Sequence, residues 1–146
     1  MILYPTDTVW GIGCDATNAS AVARIFTIKQ RSESKSLIIL VSSIAMLREY
    51  IADLPQNILN YLKKINEPTT IIYENPQLLA PNVIAADNTV AIRLVQDPFC
   101  QQMIAHFEKP IVSTSANISG QPTPLCFADI PVILIEHCDY VVPCRQ

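Results

Sequence analysis

Three short clusters of hydroxyl, amide and cationic side chains could do chemistry in this 146-residue chain. The first is Pro5-Thr6-Asp7-Thr8-Val9-Trp10-Gly11-Ile12-Gly13-Cys14-Asp15, where two hydroxyls and a carboxylate precede two glycines. The second is Lys29-Gln30-Arg31-Ser32-Glu33-Ser34-Lys35, with three cations in seven residues. The third, Ser113-Thr114-Ser115-Ala116-Asn117-Ile118-Ser119-Gly120, holds four hydroxyls and an amide. Arginine engages phosphate or carboxylate oxygens as a bidentate fork and lysine acts as a point charge. In an extended segment Lys29 and Arg31 project to one side and suit a phosphate chain. On a continuing helix they point apart and simply complement the C-terminal dipole. The hydroxyl clusters divide the same way, between ligand loops and polar turns, and Gly11 and Gly13 permit positive φ or a close approach of backbone to ligand.

Composition narrows the function classes. A net charge of −3 and a pI near 5.2 provide no global attraction to nucleic acid, so any polyanion site is local. No P-loop, G-x-G-x-x-G or G-x-S-x-G element occurs. The five cysteines, Cys14, Cys100, Cys126, Cys138 and Cys144, are odd in number and lack any C-x-x-C pair, which fits free thiols in a reducing compartment. Cys14 reads as a small buried thiol rather than a nucleophile. His106 and His137 stand apart from carboxylates at metal-ligand spacing. No apolar run approaches a membrane span and no secretory leader is recognisable, so a cytoplasmic location is expected.

The elements that must position these clusters alternate between strand and helix patterns, which makes the class α/β. Met1-Ile2-Leu3-Tyr4 ends a strand at Pro5, and the motif through residue 15 reads as the turn after it. Thr17 or Asn18 caps a helix carrying Val22, Ile25 and Phe26 at helical spacing, ending in the basic segment. Residues 37–41 form an apolar strand, Ser42 or Ser43 caps a helix over 44–51, and Pro55 enters the first turn of a helix reaching about residue 65. Strands are expected at 69–73, 89–94, 111–113 and 140–142, with a helix opened by Asp97-Pro98 through about residue 107. Residues 132–135 suit either a strand or a short helix. With 50% hydrophobic residues and no linker, one domain over 1–146 is the simplest account.

The order and spacing of P-T-D-T-V-W-G-I-G-C-D-A at 5–16, K-Q-R at 29–31 with Lys35-Ser36-Leu37 after it, V-A-I-R at 90–93 and S-T-S-A-N-I-S-G at 113–120 resemble the YrdC/Sua5 family of threonylcarbamoyl-AMP synthases. The resemblance implies a YrdC-like (YrdC/RibB-type) fold, a twisted mixed β-sheet with flanking helices enclosing a deep ligand cavity. It also implies that the family's leading helix and strand and its closing strand are missing or shortened here. The implied reaction makes L-threonylcarbamoyladenylate and pyrophosphate from L-threonine, bicarbonate and ATP, for threonylcarbamoyl modification of tRNA adenosine. Mg²⁺ would accompany ATP. Implied partners are a downstream threonylcarbamoyl transferase complex and tRNA or double-stranded RNA, with no membrane.

By the same resemblance, Lys29 and Arg31 are catalytic and hold the ATP phosphates, and Ser113, Ser115 and Asn117 hold the adenylate. Thr6, Arg93 and Thr114 bind threonine, and Asp7 is the nearest candidate for the metal. Three departures stand out. Asn66-Glu67-Pro68-Thr69-Thr70 replaces the family's P-G-P-x-T, Ser36 replaces a proline and Trp10 replaces a tyrosine. The alternatives are a YrdC-like RNA- or nucleotide-binding module without synthase activity, and a carbamoyl-adenylate module like that of hydrogenase-maturation carbamoyltransferases.

Overall fold

The computed structural model describes residues 1–32 and 36–143, so Lys35 and Cys144 lie outside the described residues. Seven strands form one mixed sheet: β1 (Ile2–Pro5), β2 (Trp10–Asp15), β3 (Ile38–Val41), β4 (Thr70–Glu74), β5 (Thr89–Leu94), β6 (Ile111–Ser115) and β7 (Tyr140–Val141). Their order is β4-β5-β3-β6-β2-β1-β7, with parallel pairing only at β3/β5 and β1/β7. Among the described residues five α-helices flank it: α1 (Ala19–Ile28), α2 (Ile44–Tyr50), α3 (Gln56–Leu62), α4 (Pro98–Phe107) and α5 (Val132–His137). No helix among the described residues is long and apolar enough to cross a membrane.

Capping chemistry sets the helix starts. The side chains of Asn18, Ser43 and Asp97 accept from Ala21 N, Met46 N and Cys100 N. Asn18 and Ser43 thus take the caps that the sequence shares with Thr17 and Ser42. Pro55 is the N-cap of α3 rather than part of its first turn, and the helix closes at Leu62. The ambiguous run 132–135 is helical, entered from Pro131, which preorganises the chain and cannot donate to a ladder. Val22, Ile25 and Phe26 bury α1, Met46, Leu47 and Tyr50 bury α2, and both join Ile39, Val41 and Ile92 in the main core. A smaller core of Leu3, Trp10, Ala116, Ile130 and Leu134 lies below the start of the sheet, with Trp10 and Phe127 in edge-to-face contact at 5.2 Å.

The main correction concerns the opening motif. Its turn is confined to residues 6–9, and Trp10–Asp15 is a strand between β1 and β6. The apolar residues Trp10, Ile12 and Cys14 alternate as a strand requires, but the glycines between them conceal the β pattern. Neither glycine has positive φ; Gly120 alone among the described glycines does, at 84°. They are needed for space. A Cβ at Gly13 would lie 2.5 Å from the Val112 carbonyl oxygen and 3.1 Å from Tyr4 Cε1, and one at Gly11 would lie 3.2 Å from Tyr4 Cζ. Gly13→Ala meets backbone, Gly11→Ala a ring. Urea unfolding should therefore show Gly13→Ala losing about 2–3 kcal/mol and Gly11→Ala about 1 kcal/mol, given typical overpacking costs. Equal losses would contradict the crowding described here.

Candidate active site

Strand register builds the site. Opposed residues share a sheet face, as do residues two apart on a strand. Thr70 opposes Arg93, Arg93 opposes Leu40, Ile38 opposes Ser113, Ser113 opposes Gly13 and Ser115 opposes Gly11. Arg93, Ser113, Ser115 and Gly11 therefore lie on one face, with Ile38 and Leu40 as an apolar floor between the arginine and the serines. A cavity of about 360 Å³ opens over this face, within the range of small-molecule sites. Its wall includes Thr6, Asp7, Arg31, Arg93, Ser113, Thr114 and Ser115.

Seven of the nine residues singled out by the sequence therefore meet around one space; Lys29 and Asn117 stand behind the wall. Lys29 is only 1% exposed. Its Nζ donates to the Ser115 carbonyl at 2.5 Å, to the Asn117 carbonyl at 2.7 Å and to Asn117 Oδ1 at 3.5 Å. Asn117 Oδ1 also accepts from Ser115 Oγ at 2.5 Å, and its amide nitrogen donates to the Gln121 carbonyl at 2.7 Å. Lysine, serine and asparagine thus form one hydrogen-bonded unit that fixes the chain leaving β6.

The basic pair is neither extended nor helical. Lys29 caps α1, and Gln30 takes a left-handed φ of 51°. That reversal sends the lysine under β6 and the arginine to the cavity, where Arg31 donates to the Ser36 carbonyl at 2.7 Å. Arg93 is oriented by its Nε bond to Thr70 Oγ1 at 3.1 Å. Thr6 Oγ1 accepts from Thr8 N and Val9 N, both at 3.1 Å, and donates to the Val9 carbonyl at 2.7 Å. Its proton is already committed to its own turn.

Asp7 is exposed on the wall. Among the described residues no group of three or more His, Cys, Asp or Glu could hold a metal ion. Glu67 is exposed and off the wall, so its carboxylate stands outside the anion space, while Pro68 lines the mouth. Cys14 is buried, and burial pushes its thiol up to about 12, which makes it inert near neutrality. His106 and His137 each bond a carbonyl four residues earlier in their own helices.

Thr8, already in the opening cluster, also lines the cavity, as do Gln96, Asp97 and Cys100, which the sequence did not single out as site residues. Asp97 was legible only as a helix cap. Its position directly after β5, where open α/β sheets place ligand groups, is the signal that pointed further.

An α/β sheet with two arginines and a row of hydroxyls around one cavity defines a binding domain for a small anionic ligand. The Sua5/YciO/YrdC family model, described as "Telomere recombination", matches residues 1–146, and the chain belongs to this family. A threonylcarbamoyl-AMP synthase of Pseudoalteromonas translucida is 34% identical over 154 residues, spanning 97% of this chain and 78% of the relative. P. abyssi Sua5, solved in complex with L-threonine, superposes with a TM-score of 0.86 at 27% identity, over 96% of this chain. The match spans 42% of that Sua5, so this chain corresponds to less than half of it. E. coli YciO, with a TM-score of 0.80 and 22% identity, shares the fold.

Burial, with a smaller push from the Arg31 charge, lowers the Lys29 pKa from 10.5 to about 8. Between those values the unfolded chain keeps a proton that the folded chain has released, so the stability contributed at this position rises with pH. Wild type should gain stability relative to Lys29→Met as pH climbs from 8 towards 10.5 in urea titrations. A gap that stays constant or narrows would contradict this burial.

Proposed function

We propose that this chain is an L-threonylcarbamoyladenylate synthase, acting as a nucleotidyltransferase on the α-phosphate of ATP. The observation that carries the reading is the convergence of Arg31, Arg93, Ser113 and Ser115 on one cavity of suitable size. Relatives named threonylcarbamoyl-AMP synthase, and the Sua5 structure holding L-threonine, support it over an RNA- or nucleotide-binding module.

In this reading the threonine amine adds to bicarbonate, water leaves and a carbamate forms. A carbamate oxygen attacks the α-phosphorus of ATP, the bond to the bridging oxygen breaks, and pyrophosphate departs. No protein nucleophile is needed. Carbamates decompose readily in water, so the protein's contribution is to hold the intermediate beside ATP and to exclude solvent. Arg93, steadied by Thr70, pairs with the threonine carboxylate, and Thr6 and Thr114 border the amino-acid side of the pocket. Arg31 neutralises charge moving onto the leaving phosphates. Lys29 acts from behind, holding Ser115 and Asn117 in place for the adenylate and adding a positive charge beneath them. Magnesium, held with ATP and with Asp7 and Asp97 as wall carboxylates, would offset phosphate charge.

The product then passes to a transferase complex acting on tRNA in the cytoplasm. Pyrophosphate release should require ATP, threonine and bicarbonate together. Arg31→Ala should lower it by about 10²-fold or more, the loss expected of one strong transition-state contact. Release that ignores threonine, or an Arg31→Ala variant with wild-type rates, would sink the assignment.

A further inference from the structure

We propose that Tyr4 is a positioning residue that turns the Ser113 hydroxyl into a dedicated donor to an anionic oxygen of the ligand in the cavity. Tyr4 is fully buried on β1, and its hydroxyl donates to Ser113 Oγ at 2.6 Å, across a separation of 109 residues in the chain. Ser113 is on β6, two strands away, and β2 lies between them. The tyrosine crosses β2 only because Gly11 and Gly13 leave its surface bare: a Cβ at either would come within about 3.2 Å of the ring. The opening glycines are therefore a lane for this side chain.

The consequence follows from counting protons. A serine hydroxyl has one proton and two lone pairs. Burial is the main influence on the Tyr4 phenol and raises its pKa well above the ordinary value, so it stays a donor throughout the neutral range. The phenol donates to Ser113 Oγ, which is therefore the acceptor in this pair and keeps its own proton for another partner. Ser113 lies on the cavity wall with Arg93 and Arg31, where an anionic ligand supplies that partner. Accepting from the phenol also polarises the serine O–H and strengthens what it donates. The inference rests on the synthase reading for the ligand's identity. The oxygen belongs either to the threonine carboxylate beside Arg93 or to a phosphate beside Arg31.

The test is calorimetric titration of L-threonine and of ATP, separately, into wild type, Tyr4→Phe, Ser113→Ala and the double variant, with thermal melting of each. Tyr4→Phe keeps the ring in its lane and removes one oxygen. It should weaken one of the two ligands by about 5- to 10-fold, the worth of one hydrogen bond, and leave the other unchanged. Ser113→Ala should weaken the same ligand at least as much, and adding Tyr4→Phe to it should cost nothing further. The affected ligand identifies the oxygen. Wild-type affinity for both ligands in Tyr4→Phe, or losses that add fully in the double variant, would overturn the proposal. A wild type that binds neither ligand overturns it together with the synthase reading. A wild type that binds both with the expected coupling yet releases no pyrophosphate overturns the synthase reading alone.

Discussion

The Lys29 ammonium, enclosed at the end of α1, is the interaction on which the geometry of the site depends. Taking a cation out of water costs several kcal/mol unless oxygens replace its hydration. Here they come from two carbonyls and one side-chain amide at Ser115 and Asn117. The reverse bond, Ser119 N to the Lys29 carbonyl at 2.9 Å, ties the same loop a second time. One charge therefore joins the end of a helix to the end of the central strand β6. It also fixes where Gln30 reverses the chain and hence where Arg31 emerges. The K-x-R and S-x-N motifs work as a frame: lysine and asparagine hold it, while arginine and serine face the cavity.

Sheet register does the rest. The arginine on β5 and the serines on β6 are separated by β3, which places only Ile38 and Leu40 between them. Charged and hydroxyl groups thus border an apolar floor, an arrangement that leaves oriented donors at the edges of a partly apolar pocket. Because pairing partners on adjacent strands are fixed by the buried face, a slip of one residue would turn all of these groups to the opposite side.

Four of the five helices and six of the seven strands were legible because they rest on local signals: Asp97-Pro98, Ser43 before an apolar run, and β-rich stretches such as 38–41. The site residues were legible as types and spacing. Their arrangement was not. The left-handed Gln30 carries no glycine to announce it, so the parting of Lys29 and Arg31 is set by the buried contact with β6, far away in the chain. β2 was hidden because Gly11 and Gly13 lower strand propensity for a reason visible only when the Tyr4 ring lies across them. The helix at 132–137 is short and rich in β-branched residues, and it follows from Pro131 and the smaller core rather than from propensity.

The central claim is that this cavity joins threonine, bicarbonate and ATP into one molecule. The most direct measurement is mass spectrometry of the nucleotide products after incubation with threonine, ATP and carbon-13 bicarbonate. The expected product is a threonylcarbamoyl-adenylate carrying one heavy carbon, formed only when all three substrates are present. ATP turned over to AMP or ADP with no labelled adenylate would contradict it.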